Sequence, residues 1–332
     1  MNAQLPEGFT VRSATEDDLP ALAALDAAYT RHAVGKALRT ENEIRIEWKA
    51  PTFDPTTDSQ VVVSRDGAIV GWCEVYSSAP HTRTASRLRT MPGSDERVAR
   101  VLIGWAVARA RAGASNAAPG DRAILTQGAY EGDPEATARL EGMGFRYVRS
   151  FLRMRIEMAE RPLEPEWPNG ITVRTLVPGG DDRAAVVALR DAFRDHWGYV
   201  EAPLEEDLEE WRQWIHEDED FDTDLWFLAM DGDEIAGLCQ CYPFSGEDRT
   251  TGLVDELGVR PLWRRRGLAT ALLRHALIAF YDRGVPSVEL GVDAESPTGA
   301  TQLYERAGMR LVWKNHVYEL ELRSGDAALP GD

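Results

Sequence analysis

The chain has few cysteines, and it lacks a long apolar run. Three cysteines in 332 residues, with no CxxC pair, argue against a disulfide framework and against a cysteine zinc site. No stretch of about 18 apolar residues occurs, as a membrane-spanning helix requires. The sequence from Met1 onward also lacks a basic segment followed by an apolar one. We therefore expect a cytoplasmic protein that is neither exported nor membrane-spanning.

Basic side chains are scarce relative to acidic ones. The chain has 37 Lys and Arg against 55 Asp and Glu, so its formal net charge is −18 at pH 7. This charge repels nucleic-acid phosphates and anionic lipid headgroups. We therefore expect neither a nucleic-acid nor a membrane partner, and the charge favours a cationic ligand.

The sequence contains an internal repeat. Residues 8–12 (GFTVR) and 170–174 (GITVR) each precede an acidic turn and an Ala/Leu-rich helical pattern, and ATARLEGMGF at 136–145 parallels ATQLYERAGM at 300–309. The proline-rich segment 161–168 fits neither a helix nor a central strand. We therefore predict the following division of the chain: domains at 1–160 and 170–323, a linker at 161–169, and a flexible tail at 324–332.

Strand and helix patterns alternate within each half. Apolar runs joined by Asp-Gly turns predict a hairpin in both halves. A helix is predicted from about Gly267 to Arg283, because its leucines and alanines follow helical spacing. The order indicates a mixed α/β fold. In the second half the predicted strands are 225–230, 234–241, 252–259, 287–292 and 317–322.

The segment RRRGLA at 264–269 is the most informative motif. It lies between a strand ending at Val259 and a helix beginning near Gly267. Glycine lets a ligand approach the backbone closely, and the first turn of a helix presents unpaired amides and a positive dipole end to an anion such as pyrophosphate. A solvated basic helix start is the alternative, and the strand-loop-helix context favours the ligand site.

These residues resemble the GNAT superfamily of acyl-CoA-dependent N-acetyltransferases, in particular its tandem two-domain members. The family's phosphate-loop pattern is Gln/Arg-x-x-Gly-x-Gly/Ala, and its downstream helix pattern is Ala-x-x-Leu-Tyr-x-x-x-Gly-Phe. The residues that match, with Met in place of the last Phe, are Arg264, Gly267, Ala269, Ala300, Leu303, Tyr304, Gly308 and Met309. The resemblance implies an α/β protein of two tandem GNAT folds, each a mixed, mostly antiparallel twisted sheet flanked by helices.

The resemblance also implies acetyl-CoA as co-substrate and no metal. The pyrophosphate would lie on the amides of the loop. The pantetheine arm would pair like an extra strand with the backbone of residues 257–259. Its thioester would end beside Val259, where two strands splay apart. Ser296 stands where many members carry Asn. The implied cofactor-binding residues are Leu257, Gly258, Val259, Arg264, Arg265, Arg266, Gly267, Leu268, Ala269, Thr270 and Ser296.

The family's chemistry needs a base for the amine and an acid for the departing thiolate. Tyr304 stands where such enzymes place the acid, since a neutral phenol can donate a proton to sulfur; a packed helix tyrosine is the alternative. Glu256 is the first choice for the base. Strand alternation points Asp255 to the opposite face, so only one of the two acids should reach the cleft. A water chain and His196 are further candidates.

In the family, the region that holds the acidic stretch 201–224 lines the side of the cleft where the acceptor amine binds. It would attract a cationic amine, yet its apolar spacing equally indicates a solvated helix face over a buried stripe. The candidate substrate residues are His196, Trp197, Trp211 and Asp255.

The first half departs from the family pattern. Its loop at 91–99 bears two acids and lacks the basic-x-x-Gly motif, and Leu140 stands at the position of Tyr304. We therefore expect a degenerate N-terminal domain and a catalytic C-terminal one that acetylates a primary amine of a small cationic molecule by direct attack. The alternatives are a non-catalytic acyl-CoA-binding or regulatory module, and a protein or peptide acetyltransferase acting on lysine or N-terminal amines. A homodimer is compatible with the sequence.

Overall fold

The computed structural model describes residues 4–325. Its strands are β1 (Thr10–Ser13), β2 (Ser59–Val63), β3 (Ile69–Ser77), β4 (Arg83–Thr90), β5 (Ala123–Tyr130), β6 (Arg146–Glu157), β7 (Ile171–Thr175), β8 (Trp226–Asp231), β9 (Glu234–Tyr242), β10 (Thr251–Val259), β11 (Ser287–Asp293) and β12 (Arg310–Arg323). Its α-helices are α1 (Leu19–Val34), α2 (Glu41–Trp48), α3 (Pro55–Asp58), α4 (Glu96–Ala114), α5 (Pro134–Gly142), α6 (Asp182–Phe193), α7 (Leu204–Glu217), α8 (Leu268–Asp282) and α9 (Ala300–Arg306). The predicted tail, 324–332, lies outside the described residues from 326 onward.

The chain forms two compact units. The N-terminal unit contains residues 4–150 and 315–325, and the C-terminal unit contains residues 151–314. The strand order is β1-β2-β3-β4-β5-β12 in the first unit and β6-β11-β10-β9-β8-β7 in the second. In each unit one neighbouring pair, β4–β5 or β10–β11, is parallel, and the other described pairs are antiparallel. The predicted fold class, with mostly antiparallel mixed sheets, is confirmed.

The last strand of each sequence half completes the sheet of the other unit. In β6, Phe151–Glu157 pairs with β11 through Asp293↔Phe151 to Ser287↔Glu157. In β12, the part from Asn315 onward pairs with β5. The compact units therefore do not follow the predicted division into 1–160 and 170–323, because the duplicated segments exchange their closing strands.

The proline-rich segment belongs to the C-terminal unit. Residues 161–168 form neither helix nor strand, as their prolines predict. They pack along α8, where Arg274 Nη1 donates to Glu166 Oε1 at 3.1 Å and the rings of Trp167 and His275 lie 5.7 Å apart. The segment is thus an extended strap on one domain as well as a connection between the two sequence halves.

Helices cover both faces of the C-terminal sheet and hold the site described below. α8 buries the stripe that its spacing predicted, and each fully buried leucine contributes about 1.5–3 kcal/mol of transfer free energy. α6 approaches β10 closely because Gly258 has no side chain: a Cβ there would lie 2.9 Å from the Ala192 Cβ and 2.9 Å from the Phe193 ring. The buried α8 residues include Leu268, Leu272, Leu273, Ala276, Leu277 and Phe280. Among the described residues, no helix is long and apolar enough to cross a membrane.

Candidate active site

A cleft of about 990 Å³ opens in the C-terminal unit where β10 and β11 separate. The two strands pair in parallel from Thr251↔Ser287 to Val254↔Leu290. Beyond Val254, β10 continues beside β9, whereas β11 continues beside β6. The strands thus splay apart as the resemblance implied, but the separation begins at Val254 and not beside Val259.

A β-bulge brings two carboxylates to this cleft. The pairing of β10 with β9 shifts register between Val254 and Glu256, which leaves Asp255 as the extra residue. Asp255 and Glu256 both line the cleft. The expectation that only one of them could reach it is wrong, because the bulge interrupts the two-residue alternation of the strand.

Part of the β10 backbone is open to the cleft. Arg260 N donates to Ala236 O at 3.0 Å, and hydrogen-bonded pairs alternate along antiparallel strands. Glu256 and Gly258 therefore bond to β9, while the backbone groups of Leu257 and Val259 turn toward the splay, where Val259 O accepts from Arg264 Nε. An extended chain can pair with this edge as an added strand.

The loop after β10 ends at the start of α8 in a left-handed turn. Arg265 has φ +61° and Gly267 has φ +86°. A Cβ at Gly267 would meet no atom within 4 Å, so the backbone angle, and not lack of space, favours glycine there. Ala271 N makes the first helical bond, to Gly267 O at 3.1 Å. The amides of residues 268–270 are thus left unpaired by the helix, and these residues line the cleft.

Arg264 anchors this loop to its surroundings. Its Nη2 donates to Asp195 Oδ1 and to Ala192 O, both at 2.9 Å, and its Nε donates to Val259 O at 3.0 Å. The Arg264 guanidinium in turn lowers the pKa of Asp195. Arg264 borders the cleft, but these bonds hold β10, α6 and the loop in place.

The other predicted cofactor residues divide between the cleft and its surroundings. Arg265 lines the cleft, and Arg266 does not. Ser296 also lies outside the lining, with its hydroxyl 2.9 Å from that of Thr298. The cleft is bordered there by residues 297–299. Residues 257–259 and 267–270 all line the cleft.

The pKa values of both carboxylates at the splay are raised. Desolvation, and then the charge of Asp255, raises the pKa of Glu256 to about 8. Desolvation also raises the pKa of Asp255, which the charge of Arg153 opposes and that of Asp218 reinforces. With a pKa of about 8, Glu256 is ionised in roughly a tenth of molecules at pH 7. The ionised fraction can accept a proton, and it grows as the pH rises through about 8.

Tyr304 lies in the same cleft on α9. It is buried, with 6% of its surface exposed. Desolvation, and next the nearby Cys239 and Glu256, raise the pKa of Tyr304 well above its ordinary value. The phenol therefore keeps its proton at physiological pH and is available as a donor.

The predicted substrate residues divide between cleft and core. His196 lines the cleft against the Phe193 ring, 4.5 Å between centroids, and burial lowers the pKa of His196, which keeps it neutral. Trp211 packs on Trp226 in the core at 5.2 Å. Trp197 lies 6.4 Å from the ring of Phe151, outside the lining.

The acidic stretch 201–224 forms mainly a solvated helix face. Among the described lining residues none comes from it. α7 buries Leu208, while Asp207 pairs with Arg190 at 3.0 Å and Glu205 with Arg183 at 2.8 Å. Asp218, just after α7, nevertheless acts electrostatically on Asp255.

Some lining residues had no signal in the sequence. Phe151 belongs to the first sequence half and reaches the cleft through the exchanged strand β6. Gln302 and Arg306 lie on α9 two residues before and after Tyr304, a spacing that does not place them on the same helix face as Tyr304, so helical periodicity gave no signal for them. Among the described residues no group of three or more His, Cys, Asp or Glu is arranged to hold a metal.

Residues 186–309 match the acetyltransferase (GNAT) family model. The mycothiol acetyltransferase of Salinispora arenicola is 31% identical over 265 residues, which cover 77% of this chain and 79% of that one. That of Streptomyces scabiei is 30% identical over 243 residues, which cover 72% of each chain.

Solved structures show the same architecture. A GCN5-related N-acetyltransferase from Sphaerobacter thermophilus superposes with a TM-score of 0.78 at 30% identity, covering 98% of this chain and 99% of that one. A tandem GNAT protein from the clavulanic acid biosynthesis pathway gives a TM-score of 0.71 at 17% identity, covering 96% and 100%.

The chain belongs to the GNAT acetyltransferase family and is an acetyl-CoA-dependent N-acetyltransferase. Within that family it is a tandem protein similar to the mycothiol acetyltransferases.

Proposed function

We propose that the C-terminal unit transfers the acetyl group of acetyl-CoA to a primary amine of a small cationic molecule by direct attack. The observation that carries this proposal is the meeting, in one cleft, of Glu256, Tyr304, an open strand edge and the start of α8. The N-terminal unit lacks this combination, since Leu140 is fully buried at the position equivalent to Tyr304.

The cleft residues fit acetyl-CoA. The unpaired amides of residues 268–270, at the positive end of the α8 dipole, suit a pyrophosphate, and exposed Arg265 adds charge. Leu257 offers its N–H and C=O groups, and Val259 its N–H group, to the amide-bearing pantetheine arm. Acetyl-CoA, when bound, supplies an acetyl group activated as a thioester. The open amide of Leu257 can then polarise the carbonyl as negative charge develops on its oxygen.

Glu256 acts as the general base in this proposal. An ammonium group must lose a proton before its nitrogen can attack, and a carboxylate with a pKa of about 8 removes that proton near neutral pH. Asp255 assists in two ways: its charge raises the pKa of Glu256, and it attracts the cationic acceptor. Binding of acyl-CoA alone would not require a carboxylate that can accept a proton near neutral pH.

Tyr304 acts as the acid. Its raised pKa keeps the phenol protonated, so it can donate a proton or a hydrogen bond to the leaving sulfur. Because desolvation is the largest cause of the shift, the donor works in a dry environment, where its interaction with a developing charge is stronger.

The names of the relatives make the deacetylated form of mycothiol the first acceptor to test. A thiol-release assay with acetyl-CoA should use that amine, a panel of small diamines and a lysine peptide, with mass spectrometry of the products. Turnover on a small amine, lost in Glu256→Gln, supports the proposal. Intact acetyl-CoA binding without turnover on any amine would favour the binding module, and turnover on the peptide alone would favour a protein acetyltransferase.

A further inference from the structure

The N-terminal unit has a cavity of its own where its parallel strands separate. β4 and β5 pair from Arg83↔Ile124 to Ser86↔Gln127 and then diverge. The opening forms a pocket of about 290 Å³, at the lower limit for small-molecule sites. Its lining includes Ser86, Arg87, Arg89 and Asn315. These residues do not belong to the C-terminal cleft, and the proposed acetyl transfer does not use them.

The surroundings of this pocket do not reproduce the cofactor site. Asp95 caps α4 and accepts from Arg97 N at 2.9 Å, and Glu96 follows in the first turn. Two carboxylates thus stand where a pyrophosphate would need a positive end. The β3–β4 register is also continuous from Gly71↔Thr90 to Ser77↔Thr84, without the bulge that places acids in the C-terminal cleft.

Two arginines line this pocket instead, and hydrogen bonds hold both of them in place. Arg89 Nε donates to Asp26 Oδ1 at 2.6 Å, and its guanidinium carbon lies 4.9 Å from the ring centre of Tyr29 and 5.7 Å from that of Tyr130. Arg87 Nη1 donates to Glu47 Oε2 at 2.7 Å. Within the described part of the chain, the Nη2 groups of Arg87 and Arg89 make no hydrogen bond.

The carboxylates that pair with these arginines lie outside the pocket lining. Asp26, Glu47 and Glu74 pair with the arginines from behind and do not belong to the described lining. Asp26 and Glu74 are fully buried. Of the charged side chains in this cluster, only Arg87 and Arg89 belong to the described lining, so an anion in the pocket would meet guanidinium groups first.

We propose that this pocket binds a small anion bearing a carboxylate or phosphate group. Its oxygens would accept hydrogen bonds from the free Nη2 groups of Arg87 and Arg89, since guanidinium N–H groups form charge-assisted hydrogen bonds with carboxylate and phosphate oxygens. The Asn315 amide and the Ser86 hydroxyl border the same space. This inference stands apart from the proposed function, because every residue it uses lies in the N-terminal unit.

The test is titration calorimetry of the full chain with small anions at constant ionic strength. Acetate and succinate form the carboxylate arm, inorganic phosphate and glycerol phosphate form the phosphate arm, and ethanolamine is the cationic control. Asn315→Asp puts a negative charge on the pocket wall at nearly constant size and removes no member of the arginine cluster. Exposed Asn116, in the turn after α4, gives a matched control as Asn116→Asp.

We expect saturable binding in one arm with a Kd of about 1 mM or lower, at least tenfold weaker in Asn315→Asp and within about twofold in Asn116→Asp. If Asn315→Asp fails to fold, Asn315→Leu serves instead, since it removes the amide from the pocket wall and leaves the arginine cluster intact. No saturable binding up to about 10 mM overturns the proposal. So does binding that survives Asn315→Asp but is lost in Gly267→Asp, because the anion then occupies the loop before α8.

Discussion

Replacing Glu256 by glutamine should remove the alkaline dependence of acetyl transfer together with most of the rate. With a pKa of about 8, the ionised fraction of Glu256 rises from roughly a tenth at pH 7 to roughly nine tenths at pH 9, so wild-type kcat/KM should rise about tenfold over that range. Glu256→Gln should lose 10²- to 10⁴-fold at about pH 8, the usual contribution of a general base.

Asp255→Asn is the matched control for this effect. It keeps Glu256 but removes the charge that is the second cause of its raised pKa. The midpoint of the kcat/KM profile should then move down by about half a unit to one unit, while a large rate remains. Initial rates of thiol release between pH 6 and 10, with one acceptor throughout, give all three profiles. The residual profile of Glu256→Gln corrects for titration of the acceptor.

Two results would refute the reasoning. Glu256→Gln with nearly wild-type rates would remove Glu256 from proton transfer. A midpoint unmoved in Asp255→Asn would show that the profile reports the acceptor amine and not the carboxylate pair in the cleft.

Three further outcomes are expected. Tyr304→Phe should lower kcat about 10- to 100-fold and leave the KM for acetyl-CoA within about twofold, because the phenol serves the leaving group and not binding; an unchanged kcat would exclude it as the acid. Gly267→Asp should weaken acetyl-CoA binding at least about tenfold more than the isosteric Gly267→Asn, since both tolerate the left-handed angle but only Asp places a charge at the helix start; equal Kd values by calorimetry would contradict a pyrophosphate there. Glu256→Gln should raise Tm relative to wild type at pH 9 and not at pH 4. Because the pKa of Glu256 is higher in the folded than in the unfolded protein, its contribution to folding stability is full below the unfolded pKa and is lost as the pH rises through about 8. Glutamine does not ionise and therefore avoids this loss. The same difference in Tm at both pH values would argue against the raised pKa.

The sequence predicted the parts of this protein that depend on local pattern. The strand ending at Val259, the loop with Gly267 and the apolar stripe of α8 all follow from residue spacing, and a pair of motifs in order led to the family. The repeat of 136–145 in 300–309 likewise predicted two related folds.

The remaining features depend on how distant strands pair. The exchange of β6 and β12 depends on which edge of a sheet each strand reaches, and no local pattern in Phe151–Glu157 records that choice. The bulge at Asp255 is likewise a register shift between two strands, and no glycine at the bulged position marks it in the sequence. Arg264 matched the family pattern, but only the structure shows its bonds to Asp195 and to two carbonyl groups.

Direct acetyl transfer in the C-terminal cleft is tested by product analysis of single-turnover reactions with isotopically labelled acetyl-CoA and an accepted amine. The account predicts one labelled N-acetyl product per thiol released, no labelled protein at any time point, and loss of both product and thiol release in the Glu256→Gln, Tyr304→Phe double variant. Label appearing on the protein before the product, or wild-type rates in the double variant, would contradict direct transfer in the cleft of the C-terminal unit.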